Sequence, residues 1–173
     1  MHRTQSHGGV THPPTNQLTR RVFPIRAVLL IALGVLLDRV IKWIALVSWS
    51  SSPMEPIPGV RLFFFLNPGI AFSVPIPAWA FYAAAIPVLV VIIWLLRSAV
   101  LQRRTTTAAG LLAILGGALS NVADRLLYGG VIDYFQIGPL PVVNLADLMI
   151  VAGVGLLVFQ MREMPPPLDT SVV

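Results

Sequence analysis

The sequence predicts an all-α membrane protein, four transmembrane helices with a small extracytoplasmic β element, and three observations predict it. The first is composition: of 173 residues, 56% are hydrophobic and only 11% charged, whereas an ordinary soluble domain carries about 25% charged residues. So few charges cannot cover a water-facing surface. The second is the presence of four apolar segments, residues 27–47, 76–96, 108–127 and 142–161, each about 20 residues long and so able to span a hydrocarbon core of roughly 30 Å. The third is that the basic residues flank these segments. The net charge of +5 therefore reads as a set of topology signals, and no nucleic-acid partner is expected.

Taken in order, residues 1–25 are rich in His, Thr, Pro, Gln and Arg without periodicity and read as a disordered cytoplasmic tail. The first span opens like a signal peptide, with basic residues before an apolar run. No small-residue cleavage site follows it, however, and Asp38, Arg39 and Lys42 interrupt it, so it reads as a retained helix. Arg20, Arg21 and Arg26 precede span one, Arg97, Arg103 and Arg104 lie between spans two and three, and Arg162 follows span four. By the positive-inside rule both termini and the second loop are cytoplasmic. Residues 48–75 and 128–141 then lie outside. In the first of these, aromatic and β-branched residues from 57 to 74 flank Asn67-Pro68-Gly69, which predicts a strand, a turn and a strand. Phe63, Phe64 and Phe65 suit the membrane interface, and Trp43, Trp49 and Trp79 suit an aromatic belt. Residues 26–162 form the four-span domain and residues 163–173 a second cytoplasmic tail.

This topology puts the polar residues of the spans at their outer ends. Asp38 and Lys42 fall late in an outgoing helix, Asn121, Asp124 and Arg125 near the exit of another, and Asn144 and Asp147 near the entry of the last. Asp133 lies in the short outer loop and Asn67 in the longer one. An ionisable side chain at mid-membrane costs about 2.5–3.5 kcal/mol, so several together need partners or a purpose. Helical spacing supplies partners, because Asp38 and Lys42, Asn144 and Asp147, and Asn121 with Asp124 and Arg125 stand three or four residues apart. Gly116, Gly117, Ala118 and Ser120 in span three, with Ala152, Gly153 and Gly155 in span four, allow close helix approach. There is no cysteine, which excludes disulfides, thiolate metal sites and a cysteine nucleophile. The histidines, His2, His7 and His12, all lie in the tail, which excludes an intramembrane His-Glu-x-x-His zinc site or a Ser-His dyad.

Four ordered motifs carry a resemblance. Asn67-Pro68-Gly69-Ile70-Ala71-Phe72, Gly116-Gly117-Ala118 leading to Asn121-Val122-Ala123-Asp124-Arg125, Gly130-Val131-Ile132-Asp133-Tyr134, and Asn144-Leu145-Ala146-Asp147 resemble the motif set of the bacterial lipoprotein signal peptidases, the signal peptidase II family of aspartic membrane proteases. Asp38 with Lys42 fits the same pattern, and the match runs from about residue 28 to 162. The resemblance implies metal-independent, cofactor-free cleavage of prolipoproteins just before a diacylglyceryl-modified cysteine, with Asp133 and Asp147 catalytic. It also implies supporting or substrate-binding roles for Asp38, Lys42, Asn67, Gly69, Asn121, Asp124, Arg125 and Asn144, and a β element that cradles the substrate. Partners would be lipid-modified prolipoproteins and membrane lipids, the protein a monomer in the bacterial inner membrane, its site facing outward. Departures from the common pattern include Pro68, Ile70, Ser120, Tyr134, Leu148, Arg39 and Ile41; none removes a carboxylate.

Read without the family, the residues lead to a compatible chemistry. Peptide hydrolysis lacking Cys, His or metal leaves paired carboxylates, one ionised to take a proton from water and one protonated to polarise the scissile carbonyl. Mutual repulsion and poor solvation keep one proton between them, and they titrate as a pair. Competing readings stay open at this level. Asp124 with Arg125 suits a structural ion pair, Asp38 with Lys42 helix packing, Asn67 a turn, Asn121 and Asn144 interhelical amide bonds, and Asp133 alone a solvated loop. A small proton-coupled transporter or channel would also bury carboxylates, although it needs a polar route to both faces. A membrane assembly subunit is the remaining possibility.

Overall fold

The computed structural model describes residues 25–69 and 77–162. Helix α1 (Ile25–Ile44) continues into a π-helical turn (Ala45–Trp49), and strands β1 (Met54–Ile57) and β2 (Val60–Asn67) follow. Helices α2 (Ala78–Leu101) and α3 (Thr105–Tyr128) come next, then strand β3 (Val131–Ile137) and helix α4 (Leu145–Arg162). The tails expected at 1–25 and 163–173 lie outside the described residues except for Ile25, which opens α1 two residues before the expected span.

Helices α2, α3 and α4 are long and apolar enough to cross a membrane. Helix α1 is equally apolar over its first half, and Asp38, Arg39 and Lys42 set it apart. Outward-facing leucines, valines and isoleucines cover all four helices, the reverse of a soluble bundle and the pattern expected where lipid is the solvent. α3 is the central helix, packed against α1, α2 and α4. Among its buried positions, Gly110, Ala113, Gly117, Ser120 and Asp124 recur every three or four residues, so one face is small for four turns and polar only at its end. Along that face α4 approaches closely: a Cβ on Gly117 would lie 2.3 Å from the Ala146 carbonyl oxygen.

The strands form an antiparallel sheet in the order β1-β2-β3. Two sequence expectations change here. The predicted turn at Asn67-Pro68-Gly69 is the end of β2, and the hairpin turn lies earlier, between Ile57 and Val60, where Gly59 takes the positive φ of +83° that a side chain would resist. The second half of the expected strand-turn-strand unit, from residue 70, lies outside the described residues. The outer segment expected as a loop around Asp133 is strand β3, which pairs with β2 from Val60↔Ile137 to Asn67↔Val131. Alternation along β3 directs Ile132 and Tyr134 into a core with Ala45 of the π-turn, while Val131, Asp133, Phe135 and Ile137 face a cavity. Trp49, expected in an aromatic belt, instead packs against Tyr134 with ring centroids 6.4 Å apart. Trp43 and Trp79 are exposed.

Candidate active site

The end of α1, the end of α3, the start of α4 and the face of β2–β3 meet at one end of the bundle. Asp133 is carried by β3, and Asn67, two positions past its partner Phe65, lies on the same face of β2; Asn67 Nδ2 donates to Asp133 Oδ2 at 3.0 Å. Asp147 is carried by the first turn of α4. There Asn144 and Asp147 cap the helix reciprocally: the Asp147 backbone N–H donates to Asn144 Oδ1 at 2.8 Å, and the Asn144 backbone N–H to Asp147 Oδ2 at 3.3 Å. Such an exchange satisfies N–H groups that a helix start otherwise leaves unpaired, and it favours a negative side chain there.

Asn144 also joins the two carboxylates. Its Nδ2 donates to Asp133 Oδ1 at 2.6 Å, so one residue holds the Asp133 carboxylate through its side chain and the Asp147 carboxylate through its backbone N–H. Asn121, on α3, donates from Nδ2 to Asp147 Oδ1 at 2.8 Å. Asp133 and Asp147, carried by the consecutive elements β3 and α4, therefore flank a single residue, with every carboxylate oxygen facing an N–H donor.

Behind this pair lies a cluster of buried charge. Lys42 Nζ donates to Asp38 Oδ2 at 2.9 Å, Asp124 Oδ2 at 2.7 Å and Asn121 Oδ1 at 2.8 Å. Arg39 Nη1 pairs with Asp124 Oδ1 at 2.5 Å. Asp38 accepts in addition from Ser120 Oγ at 2.6 Å, the Ala146 N–H at 3.1 Å and Tyr134 Oη at 3.3 Å. With the Leu145 N–H donating to Tyr134 Oη at 2.9 Å, α1 and β3 hold the start of α4. Among the described residues no buried side-chain nitrogen or oxygen lacks a partner, which is the condition for burying such a network without a large penalty.

The sequence pairing of Asp124 with Arg125 is not formed. Successive helix residues point about 100° apart, so Asp124 turns inward to Arg39 and Lys42. Arg125 turns toward the cavity, donates to the Gly69 carbonyl and stacks on Phe81, its guanidinium carbon 4.3 Å from the ring centroid. Arg39, seen in the sequence as an interruption of the first span and a departure from a pattern but not as a site residue, is the residue that sequence reasoning missed. Its position one residue after Asp38 on a helix otherwise apolar was the available signal.

Asp133 is almost fully buried. Burial, opposed by the Asn67 and Asn144 hydrogen bonds and assisted by the nearby Asp147 charge, pushes its carboxyl up to about 6 from an ordinary 3.8. Burial and the Asp38 carboxylate likewise raise the Tyr134 hydroxyl, keeping it neutral. Between about pH 4 and 6 the folded chain thus holds a proton at Asp133 that the unfolded chain has released. That contribution to stability is complete below the unfolded value and is lost as pH rises through 6. Thermal melts in detergent at pH 4 to 7 are expected to show wild type losing stability across this range, with a shallower slope for Asp133→Asn; an identical slope in both would show that Asp133 does not titrate there.

The two aspartates, Asn67, Asn121 and Arg125 line one side of a cavity of about 770 Å³. Its remaining walls are apolar and descend along α2 through Phe81, Ala85, Val88 and Ile92. α2 and α4 flank α3 without an extensive contact between them, and the cavity occupies that gap. Among the described residues no group of three or more His, Cys, Asp or Glu gathers as metal ligands. The arrangement can supply a pair of acids for proton transfer at the head of an apolar cavity.

Residues 30–162 match the family described as Signal peptidase (SPase) II. Proteins named lipoprotein signal peptidase include one from Desulfitobacterium hafniense, 42% identical over 72% of this chain and 85% of its own. Another, from Syntrophomonas wolfei, is 39% identical over 70% of this chain and 82% of its own. In fold, the chain is similar to a bacterial membrane enzyme solved by the in meso method at 1.9 Å resolution, with a TM-score of 0.71 and 24% identity over 83% of this chain and 96% of the other. A match over most of the chain, with relatives aligned across most of their own length, establishes that this protein belongs to the signal peptidase II family.

Proposed function

We propose that the protein is a multi-pass inner-membrane aspartic endopeptidase that removes signal peptides from diacylglyceryl-modified prolipoproteins, cutting just before the lipidated cysteine. The observation that carries this reading is the buried Asn144 side chain held between Asp133 and Asp147, at the head of an apolar cavity. One carboxylate of the pair takes a proton from water as the hydroxide adds to the scissile carbonyl carbon. The other, protonated, donates to the carbonyl oxygen as it becomes a hydroxyl. Return of a proton to the amide nitrogen then lets the C–N bond break. The pair shares these roles without an assigned base, and no metal enters the scheme.

In this reading α1 is the fourth span. Its cost in lipid is offset because Asp38, Arg39 and Lys42 meet counter-charges within the bundle, whereas unpaired charges at that depth would oppose insertion. The termini lie in the cytoplasm, where Arg97, Arg103, Arg104 and Arg162 favour them, and the site opens outward to water. A lipidated substrate enters sideways between α2 and α4, its acyl chains against the apolar wall, and the enzyme acts as a monomer. Family membership gives no support to a proton-coupled transporter or channel.

Purified protein incubated with a diacylglyceryl-modified prolipoprotein and with the unmodified precursor is expected to cleave the first only, with or without a chelator. Equal cleavage of both precursors, or of neither, would contradict the assignment.

A further inference from the structure

An ammonium group can donate hydrogen bonds but cannot accept one, whereas an amide side chain can present either its oxygen or its nitrogen to a neighbour. Lys42 places its three donors on Asp38, Asp124 and Asn121. Because Asn121 faces the ammonium, it must offer its oxygen there, and its nitrogen is left pointing at Asp147 Oδ1, 2.8 Å away. The same Asn121 oxygen lies 3.2 Å from Asn144 Nδ2. Asn144 must therefore present its nitrogen in this direction also, where it reaches Asp133 Oδ1 at 2.6 Å, and its oxygen to the Asp147 N–H. A flip of either amide would set donor against donor or acceptor against acceptor.

Resting on the dyad reading above, we propose that Lys42 is a positioning residue that fixes the polarity of the Asn121 and Asn144 amides, and so aims their N–H groups at both catalytic carboxylates. Arg39 supports it. The cluster contains two carboxylates, Asp38 and Asp124, and the Arg39–Asp124 contact supplies the second cation, so that the buried group is balanced and Lys42 has a proton to spare for Asn121.

Donors aimed at the dyad favour the ionised form, so removing them shifts the kcat–pH profile upward. Lys42→Met alone would leave Asp38 without a cation, since Arg39 stays with Asp124, and the decisive variant is therefore Lys42→Met combined with Asp38→Asn, which removes one charge of each sign and keeps the Arg39–Asp124 pair. On a diacylglyceryl-modified prolipoprotein this double variant is expected to lower kcat about tenfold or more with little change in KM, and to move the profile up by about one pH unit. Asn121→Ala should produce a similar displacement, and adding it to the double variant should produce no more. A double variant with the wild-type profile, or a further shift on adding Asn121→Ala, would overturn the inference. If the double variant does not fold, Lys42→Arg decides, since arginine also only donates. Its profile should remain in place, and a displacement as large as that of Asn121→Ala would count against the role. Asp133→Asn and Asp147→Asn assayed alongside separate the two ideas: turnover by either removes the dyad itself, whereas inactivity of both with an unmoved profile in the double variant removes only the role of Lys42.

Discussion

Asp133→Asn and Asp147→Asn, made one at a time, should each reduce kcat on a diacylglyceryl-modified prolipoprotein by about a thousandfold or more. Proton transfer by a positioned acid or base contributes about 10²–10⁴ to a rate, and in the proposed mechanism each group serves both halves of the reaction. Because the pair acts as a unit, removing both acids should cost little more than removing one. An amide cannot replace the carboxylate without loss. Both Asp133 oxygens accept from side-chain N–H groups, of Asn67 and Asn144, and both Asp147 oxygens accept as well, from Asn121 and the Asn144 backbone. The new NH2 group must then face a donor, at a cost of about 0.5–1.5 kcal/mol per lost bond. Thermal melts therefore accompany the assay, to show that a silent variant is folded. Substantial turnover by either folded variant would remove that residue from the catalytic pair.

The helices were legible in the sequence because lipid makes the demand simple. A run of about 20 apolar residues satisfies it whatever the partners, and the four segments agree with α1 to α4 to within a few residues, apart from the extension of α2 to Leu101. The polar residues of the motif set come together at one end of the bundle. What the sequence hid was pairing. β3 reads as a short loop because Val131–Ile137 lies between two helices and its partner, β2, is more than 60 residues away; a strand depends on such a partner more than on its own propensity. Asp124 and Arg125 seemed a pair because they are adjacent. The true partners of Asp124, Arg39 and Lys42, come from another helix, and no spacing within α3 could indicate them. Lys42 was visible as an i, i+4 partner of Asp38, but its link to Asn121 required the packing of α1 on α3.

That packing sets the second large expectation, which concerns a residue with no polar atom in its side chain. Gly117 is one helical turn before Asn121 on the same face of α3. A Cβ there would stand 2.3 Å from the Ala146 carbonyl oxygen and 2.9 Å from Ile150 Cγ1. Backbone cannot swing away as a side chain can, so Gly117→Ala must push the first turn of α4 outward and carry Asp147 with it. Overpacking of this kind costs about 1–3 kcal/mol. Displacing a catalytic group by about 1 Å can cost about a hundredfold in rate, so activity should suffer out of proportion to stability. Gly153 supplies the comparison. Its Cβ would meet the Gly110 carbonyl oxygen at 2.5 Å and Ile114 Cγ1 at 2.7 Å, an equal obstruction of the same helix pair, but further along α4 from Asp147. Gly153→Ala should lower the melting temperature about as much as Gly117→Ala while retaining a larger share of kcat, and Gly155→Ala, with nothing within 4 Å, should change neither. If the two obstructed variants lost activity in proportion to their stability alone, close approach at Gly117 would matter for holding the helices together and not for placing the carboxylate.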